Sequence, residues 1–379
     1  MGASVWFPCK DFQGDEADKG MQLTMTIPHG LTMVSNGRCL IENMKSEPGK
    51  AYWTWNVSNP INNYDISFYI GDYVHWSDTM QGAEGRLSLD YYVLRQNLER
   101  SKMQFEVVKP MLHCFEEKIG PYPFYEDGYK LVDAPYLGME HQSAVAYGNG
   151  YKMGYKGEDR SATGEGLLFD FIIIHESGHE WFGNSITAYD KADTWIHEGF
   201  TSYTETIFAE CLLGKERAFK YQRGKKRTIQ NDRPVQGNFG ACDEGSGDHY
   251  DKAAFVIHMI RVIMDDDERF YAMLREMNRR FYHKIVTGNQ VKAFINSYSG
   301  RDFSQVFLQY FHGKNIPKLE IDKSKSSFRY RWTNCVPDFD MPVVVTADGQ
   351  KIWLYPGTAW QSRPGRFKSI KASGNFLVN

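Results

Sequence analysis

His175-Glu176-Ser177-Gly178-His179 sets two imidazoles and a carboxylate at the spacing of one helical turn. An α-helix turns once in about 3.6 residues, so His175 and His179 project from one face, where two imidazoles can bind one metal ion. Glu176 lies about 100° round the helix from His175 and roughly 60° from His179, bordering the metal face without competing for the ion. A carboxylate there can take a proton from a metal-activated water. A third ligand has to come from elsewhere. Eighteen residues separate His179 from Glu198, which follows His197 directly, and either can ligate. Neighbouring helix side chains point about 100° apart, so only one of the two faces the ion. Two His and one carboxylate leave a fourth position open, as in catalytic rather than structural zinc sites. The alternative is an ordinary helix with polar residues. Leu167, Leu168, Phe171, Ile172 and Ile174 speak against it, being apolar on most sides of the preceding stretch. Such a helix is buried, and buried His and Glu need partners.

Three zones must position these groups. Residues 1–88 read as β-rich: Met21 to Ile27 alternates, Tyr52 to Val57 and Ile66 to Ile70 are further strands, and Ser35-Asn36-Gly37-Arg38 carries a hairpin signal. Residues 89–313 are mostly helical, with one long helix from Asn97 to Ile119 interrupted at Pro110 and a strand at Tyr129 to Asp133. Residues 314–379 return to strands at Phe328 to Trp332, Met341 to Val345 and Ile352 to Tyr355.

Within this frame Glu140 sits among apolar residues at a strand end, where a carboxylate can hold a substrate ammonium or serve as a structural acceptor. Tyr250 precedes Ala253, Ala254, Ile257, Ile260 and Met264, a helical stripe, so it stands near a helix start. A phenol there can donate to an oxyanion, or simply pack. Glu205 lies seven residues after Glu198, almost on the same helix face, and either orients a metal-ligating His or meets solvent.

As a set, these residues resemble the gluzincin zinc aminopeptidases of the aminopeptidase N type, a family that includes leukotriene hydrolase. The resemblance rests on the His-Glu-x-x-His pentad, the eighteen-residue gap and Trp195-Ile196-His197-Glu198-Gly199-Phe200. Gly138-Met139-Glu140-His141-Gln142 is similar to the family's exopeptidase segment, Tyr250-Asp251-Lys252-Ala253-Ala254 to its tyrosine segment, and Trp6-Phe7-Pro8-Cys9-Lys10-Asp11 to part of its N-terminal β-domain. The resemblance implies Glu198 as the third ligand to one zinc ion, Glu176 as general base, Tyr250 as oxyanion donor, and Gly138, Met139 and Glu140 as the loop that holds the substrate amine. The implied fold is multidomain α+β, with a partial N-terminal β-domain (1–88), a thermolysin-like, mostly helical catalytic domain (89–313) and a small C-terminal β-domain (314–379). The implied partners are peptides with a free N-terminus. Two departures stand out. His141 replaces the family's usual Asn, which predicts a differently held backbone around the loop. Only Met1 to Val5 precede the Trp-Phe-Pro segment, so the region that in relatives supplies a second amine-holding side chain is missing, and Glu140 would carry more of that task.

Composition narrows the rivals. With 379 residues, 42% hydrophobic and 24% charged, the chain suits a globular enzyme of two or three domains. A net charge of −3 argues against a nucleic-acid binder held by phosphate contacts. No apolar run approaches the roughly 18 residues of a membrane span. Nothing at the N-terminus reads as a signal peptide, which favours the cytoplasm. The six cysteines form no C-x-x-C pair, and buried free thiols are the default expectation. The remaining rivals are an endopeptidase or epoxide hydrolase of the same fold, and a peptide-binding or scaffolding module without turnover. Oligomeric state and preferred N-terminal residue have no signature in the sequence.

Overall fold

The alternating segments at the start of the chain build a β layer. The computed structural model describes residues 3–379. Along it run β1 (Glu16–Ala17), β2 (Met21–Pro28), β3 (Thr32–Ser35), β4 (Arg38–Glu47), β5 (Lys50–Val57), β6 (Ile61–Asn62) and β7 (Phe68–Gly71). β5 lies between β2 and β4, antiparallel to both, while β3 pairs with β7 and β1 with β6. Trp53, Trp55, Val34 and Tyr69 fill the core of this layer.

The Asn36-Gly37 pair does not close a hairpin, because β3 and β4 belong to different sheets. Asn36 is instead a buried tie: its amide donates to Asp65 O at 3.1 Å and Gln142 O at 2.6 Å, and accepts from Ser67 N at 2.9 Å. Gly37 has φ +74°, and a Cβ on it would fall 2.0 Å from Asn56 O. A close tertiary approach, not a two-residue turn, requires the glycine.

β8 (Tyr73–Gly82), β9 (Gly85–Leu94), β10 (Tyr129–Asp133), β11 (Gly138–Met139) and β12 (Val145–Tyr147) form a second sheet in the order β11-β12-β10-β9-β8. β10 runs parallel to both β9 and β12, and the short edge strand β11 runs antiparallel to β12. Residue 88, the expected limit of the first zone, lies inside β9, which is paired on both sides.

The expected single helix at 97–119 is two, α1 (Leu98–Gln104) and α2 (Val108–Ile119), joined by a 3₁₀ turn at Phe105–Val107. Pro110 sits in the first turn of α2, where a missing N–H is tolerated. Its ring clashes with a helical carbonyl four residues back, at Glu106, and there the continuous helix gives way. α3 (Phe171–Gly178), α4 (Trp195–Leu213), α5 (Lys215–Gly224) and α6 (Asp251–Met264) follow, then three further helices to Phe311. They share one large apolar core with the inner face of the second sheet.

Cys114 of α2 and Cys211 of α4 form a disulfide, with Cα atoms 6.2 Å apart. Cys9, Cys39 and Cys335 are half-buried and Cys242 is exposed, so the expectation of buried free thiols fails. Helix packing brings together cysteines 97 positions apart, a distance that carries no spacing signal. After Pro317 two three-stranded antiparallel sheets complete the chain. Among the described residues no helix is long and apolar enough to cross a membrane.

Candidate active site

α3 is the centre of the site, and its sequence explains its rigidity. Asp170 caps it, accepting from Ile172 N at 3.0 Å and Ile173 N at 3.3 Å. The same carboxylate accepts from Tyr147 OH at 2.7 Å and Asn149 Nδ2 at 2.9 Å, fixing the helix start to β12. Leu167 and Leu168 lie outside the helix and are exposed, so the apolar run begins at Phe171, later than expected. All eight residues of α3 are buried. Each of Ile172, Ile173 and Ile174 contributes about 1.5–3 kcal/mol by burial, ample support for the polar groups the helix carries. α6 packs against α4 at Gly199, where a Cβ would meet Ala253 Cβ at 2.6 Å, and α4 approaches α3 closely because Gly178 has no side chain, where a Cβ would meet Thr204 Oγ1 at 2.4 Å. That approach brings Glu198 onto the two imidazoles.

His175 Nε2 lies 3.4 Å and His179 Nε2 3.2 Å from Glu198 Oε2. His175 turns its other nitrogen to Glu205 Oε1 at 2.9 Å. His179 Nδ1 faces Phe182 O at 2.9 Å and Thr201 Oγ1 at 3.1 Å. Both Nε2 atoms are thereby left for the Glu198 side. Tetrahedral zinc ligands at about 2.0–2.1 Å stand about 3.3 Å from one another, the separation seen here. Glu198 Oε2 is buried and has no aligned hydrogen-bond partner, as suits an atom meant for an ion. Charge agrees with geometry. Burial would depress both imidazoles, but Glu198 and the other carboxylates around them push His175 up to about 9 and His179 up to about 10. The site favours positive charge, which a dication would supply. The residues present fit zinc.

Glu176, His179 and Glu140 form a second convergence, with one donor atom of each within 4.8 Å of the others. Burial pushes Glu176 up to about 7. Its carboxylate lies against the backbone of β11: a Cβ on Gly138 would sit 2.6 Å from Glu176 Oε1 and 2.8 Å from Ile172 Cγ2. Met139 pairs with Ala146, and Glu140 follows directly, half-buried, at the end of the edge strand. Tyr250 is the residue before α6, and its ring centroid lies 5.9 Å from that of His175. Burial, then Glu198 and Glu140, push its phenol far above the ordinary range, so it remains a donor. A cleft of about 370 Å³ contains all of these groups and is bordered by Gln13, Tyr64, Lys191 and His249. A larger hollow of about 820 Å³ beside Trp181 and Tyr282 contains none of them.

His197, the rival ligand, turns away. Its Nε2 accepts from Ala188 N at 2.8 Å, and burial pushes it down to about 3. His141 is held by Tyr69 OH, 2.6 Å from its Nδ1. The loop around it is tied by Asn184 Nδ2 to Glu140 O at 2.7 Å, by Glu180 Oε1 to Ser143 N at 2.8 Å, and by Asn36. Sequence reading missed Glu180, Asn184 and Asn36. Glu180 directly after His179 was the available sign, since a carboxylate beside a metal ligand on a buried helix has to meet a donor.

Two buried imidazoles and the half-buried Glu198, with a second carboxylate beside them and a third at an edge strand, form a candidate metal site of the zinc-peptidase type. The family model described as "Peptidase family M1 domain" matches residues 103–310, and the chain belongs to that family. It is similar to the leucyl aminopeptidase of Saccharolobus solfataricus, 20% identical over 85% of this chain and 41% of the relative. It also resembles aminopeptidase B of Rattus norvegicus, 23% identical over 87% of this chain and 47% of that one. The chain thus spans less than half the length of these curated relatives. Among solved structures, Legionella pneumophila aminopeptidase A in complex with aspartic acid superposes with a TM-score of 0.74 at 16% identity, over 92% of this chain and 42% of the other. A Deinococcus radiodurans M1 zinc metallopeptidase variant bound to a Tyr-Ser-Ala substrate gives 0.63 at 18% identity, over 82% and 67%. The mixed α+β architecture is that of M1 structures.

Proposed function

We propose that this chain carries a zinc-dependent aminopeptidase site that hydrolyses the first peptide bond of peptides with a free N-terminus. The observation that supports this most directly is the closeness of Glu140 to Glu176 and His179. In a peptide the amine nitrogen and the first carbonyl carbon are about 2.5 Å apart. An ammonium paired with Glu140 therefore leaves the first carbonyl, and no later one, beside the catalytic groups.

His175, His179 and Glu198 would hold the ion. Zinc bound there supplies Lewis-acid polarisation and lowers the pKa of water towards about 7. Glu176 takes the proton of the attacking water and returns it to the leaving amine. Its raised proton affinity suits both steps. Tyr250, kept protonated, donates to the oxyanion of the tetrahedral intermediate. Glu140 fixes the substrate amine through a charge-assisted bond, and Gly138 and Met139 supply the backbone that presents it.

The test is hydrolysis of a panel of aminoacyl chromogenic amides, free and N-acetylated, before chelation, after chelation and after zinc is restored. Cleavage of free amines alone, abolished by chelation and restored by zinc, is expected. Equal cleavage of acetylated amides overturns the exopeptidase reading. Zinc binding without any cleavage leaves a peptide-binding module.

A further inference from the structure

Glu205 faces the metal-ligating His175, Asp251 follows Tyr250 in the chain, and one buried cation stands between the two carboxylates. Lys225 opens the 3₁₀ turn Lys225–Thr228 and is fully buried. Its Nζ donates to Glu205 Oε2 at 2.7 Å and to Ser202 O at 3.4 Å. It also lies 2.9 Å from Asp251 Oδ1, a charge contact without hydrogen-bond alignment. Glu205 Oε2 accepts from Tyr221 OH at 2.7 Å as well, while its Oε1 is 2.9 Å from His175 Nδ1. Asp251 Oδ2 accepts from Arg160 at 2.7 Å and Thr228 Oγ1 at 2.5 Å. A continuous run of charges, His175–Glu205–Lys225–Asp251, thus joins a ligand of the metal triad to the first turn of α6.

Two carboxylates confined this way would repel each other, and Lys225, with its Nζ 2.7 Å from Glu205 Oε2 and 2.9 Å from Asp251 Oδ1, is the buried cation between them. Glu205 Oε1, held by this contact, faces His175 Nδ1 and so leaves Nε2 free to ligate. An anchored Asp251 fixes the turn from which Tyr250 projects.

We propose that Lys225 is a positioning residue that couples the two halves of the site, setting Glu205 against His175 and Asp251 under Tyr250. The Tyr250 half rests on the aminopeptidase reading; the metal half does not.

Lys225→Met and Lys225→Arg, with Glu205→Gln and Asp251→Asn, test this in the zinc-loaded protein. Zinc affinity is read by competition with a chromogenic chelator, and kcat and KM at saturating zinc. Lys225→Met should weaken zinc about 10–100-fold. At saturating zinc it should still lower kcat about tenfold or more with KM within about twofold, since a shift well under 1 Å at Tyr250 suffices. Lys225→Arg should restore most of both. Glu205→Gln should reproduce the zinc loss and Asp251→Asn the kcat loss. A folded Lys225→Met with wild-type zinc affinity, or with a kcat fully recovered by excess zinc, overturns the coupling. Should Lys225→Met fail to fold, the double variant of Glu205→Gln and Asp251→Asn decides: losses that simply multiply overturn the proposal, and losses short of that product support it. A wild-type protein without peptidase activity refutes the aminopeptidase reading instead, and Lys225 must then still govern zinc affinity.

Discussion

Gly138→Ala separates the chemistry of Glu176 from the integrity of the metal triad. Gly138 has ordinary φ, so alanine adds no backbone strain, only a methyl group. That methyl would lie 2.6 Å from Glu176 Oε1 and 2.8 Å from Ile172 Cγ2. Ordinary contact begins near 3.4 Å, so the carboxylate oxygen has to retreat by about 0.8 Å. Overpacking of this kind costs about 1–3 kcal/mol, here towards the lower end because a carboxylate at the tip of a flexible side chain yields first. Catalysis is less forgiving: a displacement of about 1 Å at a reacting group costs on the order of 10²-fold. The variant should therefore fold, bind zinc with wild-type affinity in chelator competition, and lose about 10²-fold in kcat on a free-amine amide. A kcat within about threefold of wild type would mean that Glu176 does not act from the position seen here. A parallel loss of zinc would mean that Ile172 and α3 move instead, and the steric reasoning would be wrong about which group yields.

Glu140→Ala should lower kcat/KM for free amines by about 10–100-fold, the worth of a hydrogen bond to a charged group, while zinc affinity stays unchanged; equal losses in both would remove Glu140 from amine recognition. Glu176→Gln should keep zinc, measured by metal analysis after dialysis, and lower kcat by at least about 10²-fold, and retained turnover would reject it as base. Replacing Cys114 and Cys211 by alanine releases a loop of 97 residues and should cost up to about 4–5 kcal/mol with little change in kcat; an unchanged melting temperature would show that the bond contributes nothing. Lys130, fully buried, is pushed down to about 8 by burial. Its folded pKa is below its unfolded value, so the unfolded chain binds more protons between these values, and stability should rise with pH from about 8 to about 10.5 by about 3 kcal/mol. Below that window the full penalty remains. Urea midpoints of wild type and Lys130→Met across this range should converge as pH rises, whereas parallel curves would show that Lys130 carries no such penalty.

The candidate metal triad was legible because helical periodicity alone puts His175 and His179 on one face, and family likeness then chose Glu198 over His197. Geometry supplies the reason the sequence lacked: His197 is engaged by the backbone of Ala188. Gly138 was visible as a motif residue but not as the floor under Glu176, since that contact joins an edge strand to a helix more than thirty positions on. Lys225, Asp251 and the Cys114–Cys211 pair were illegible for the same reason, because their partners are set by helix packing. The Asn36-Gly37 signal misled because the local preference for a turn was real while its use was tertiary. The break in the helix at 97–119 came a turn early because proline acts on the carbonyl behind it.

The two halves of the site are supported by different layers, and this has a mechanical consequence. The candidate metal triad comes from α3, from His179 directly after it and from α4, with Asp170 capping α3 and Gly178 letting α4 approach inside the main core. The loop that carries Glu140 draws much of its support from the β layer. Asn36 holds Gln142 O, Gln142 Nε2 reaches Pro60 O at 2.9 Å, Gly37 N donates to Ser143 Oγ at 2.9 Å, and Tyr69 OH donates to Ala144 O at 2.8 Å. Only Asn184 and Glu180 tie the loop back to the segment that follows α3. Local opening follows the elements with the fewest buried contacts, and the β layer packs on the outer face of the second sheet through a smaller cluster than the main core. Loosening of that layer would therefore release Glu140 while His175, His179 and Glu198 stay in place. On the proposed aminopeptidase reading, selection of the peptide N-terminus would depend on contacts from Asn36, Gly37, Pro60 and Tyr69, none of which reaches the candidate metal triad itself.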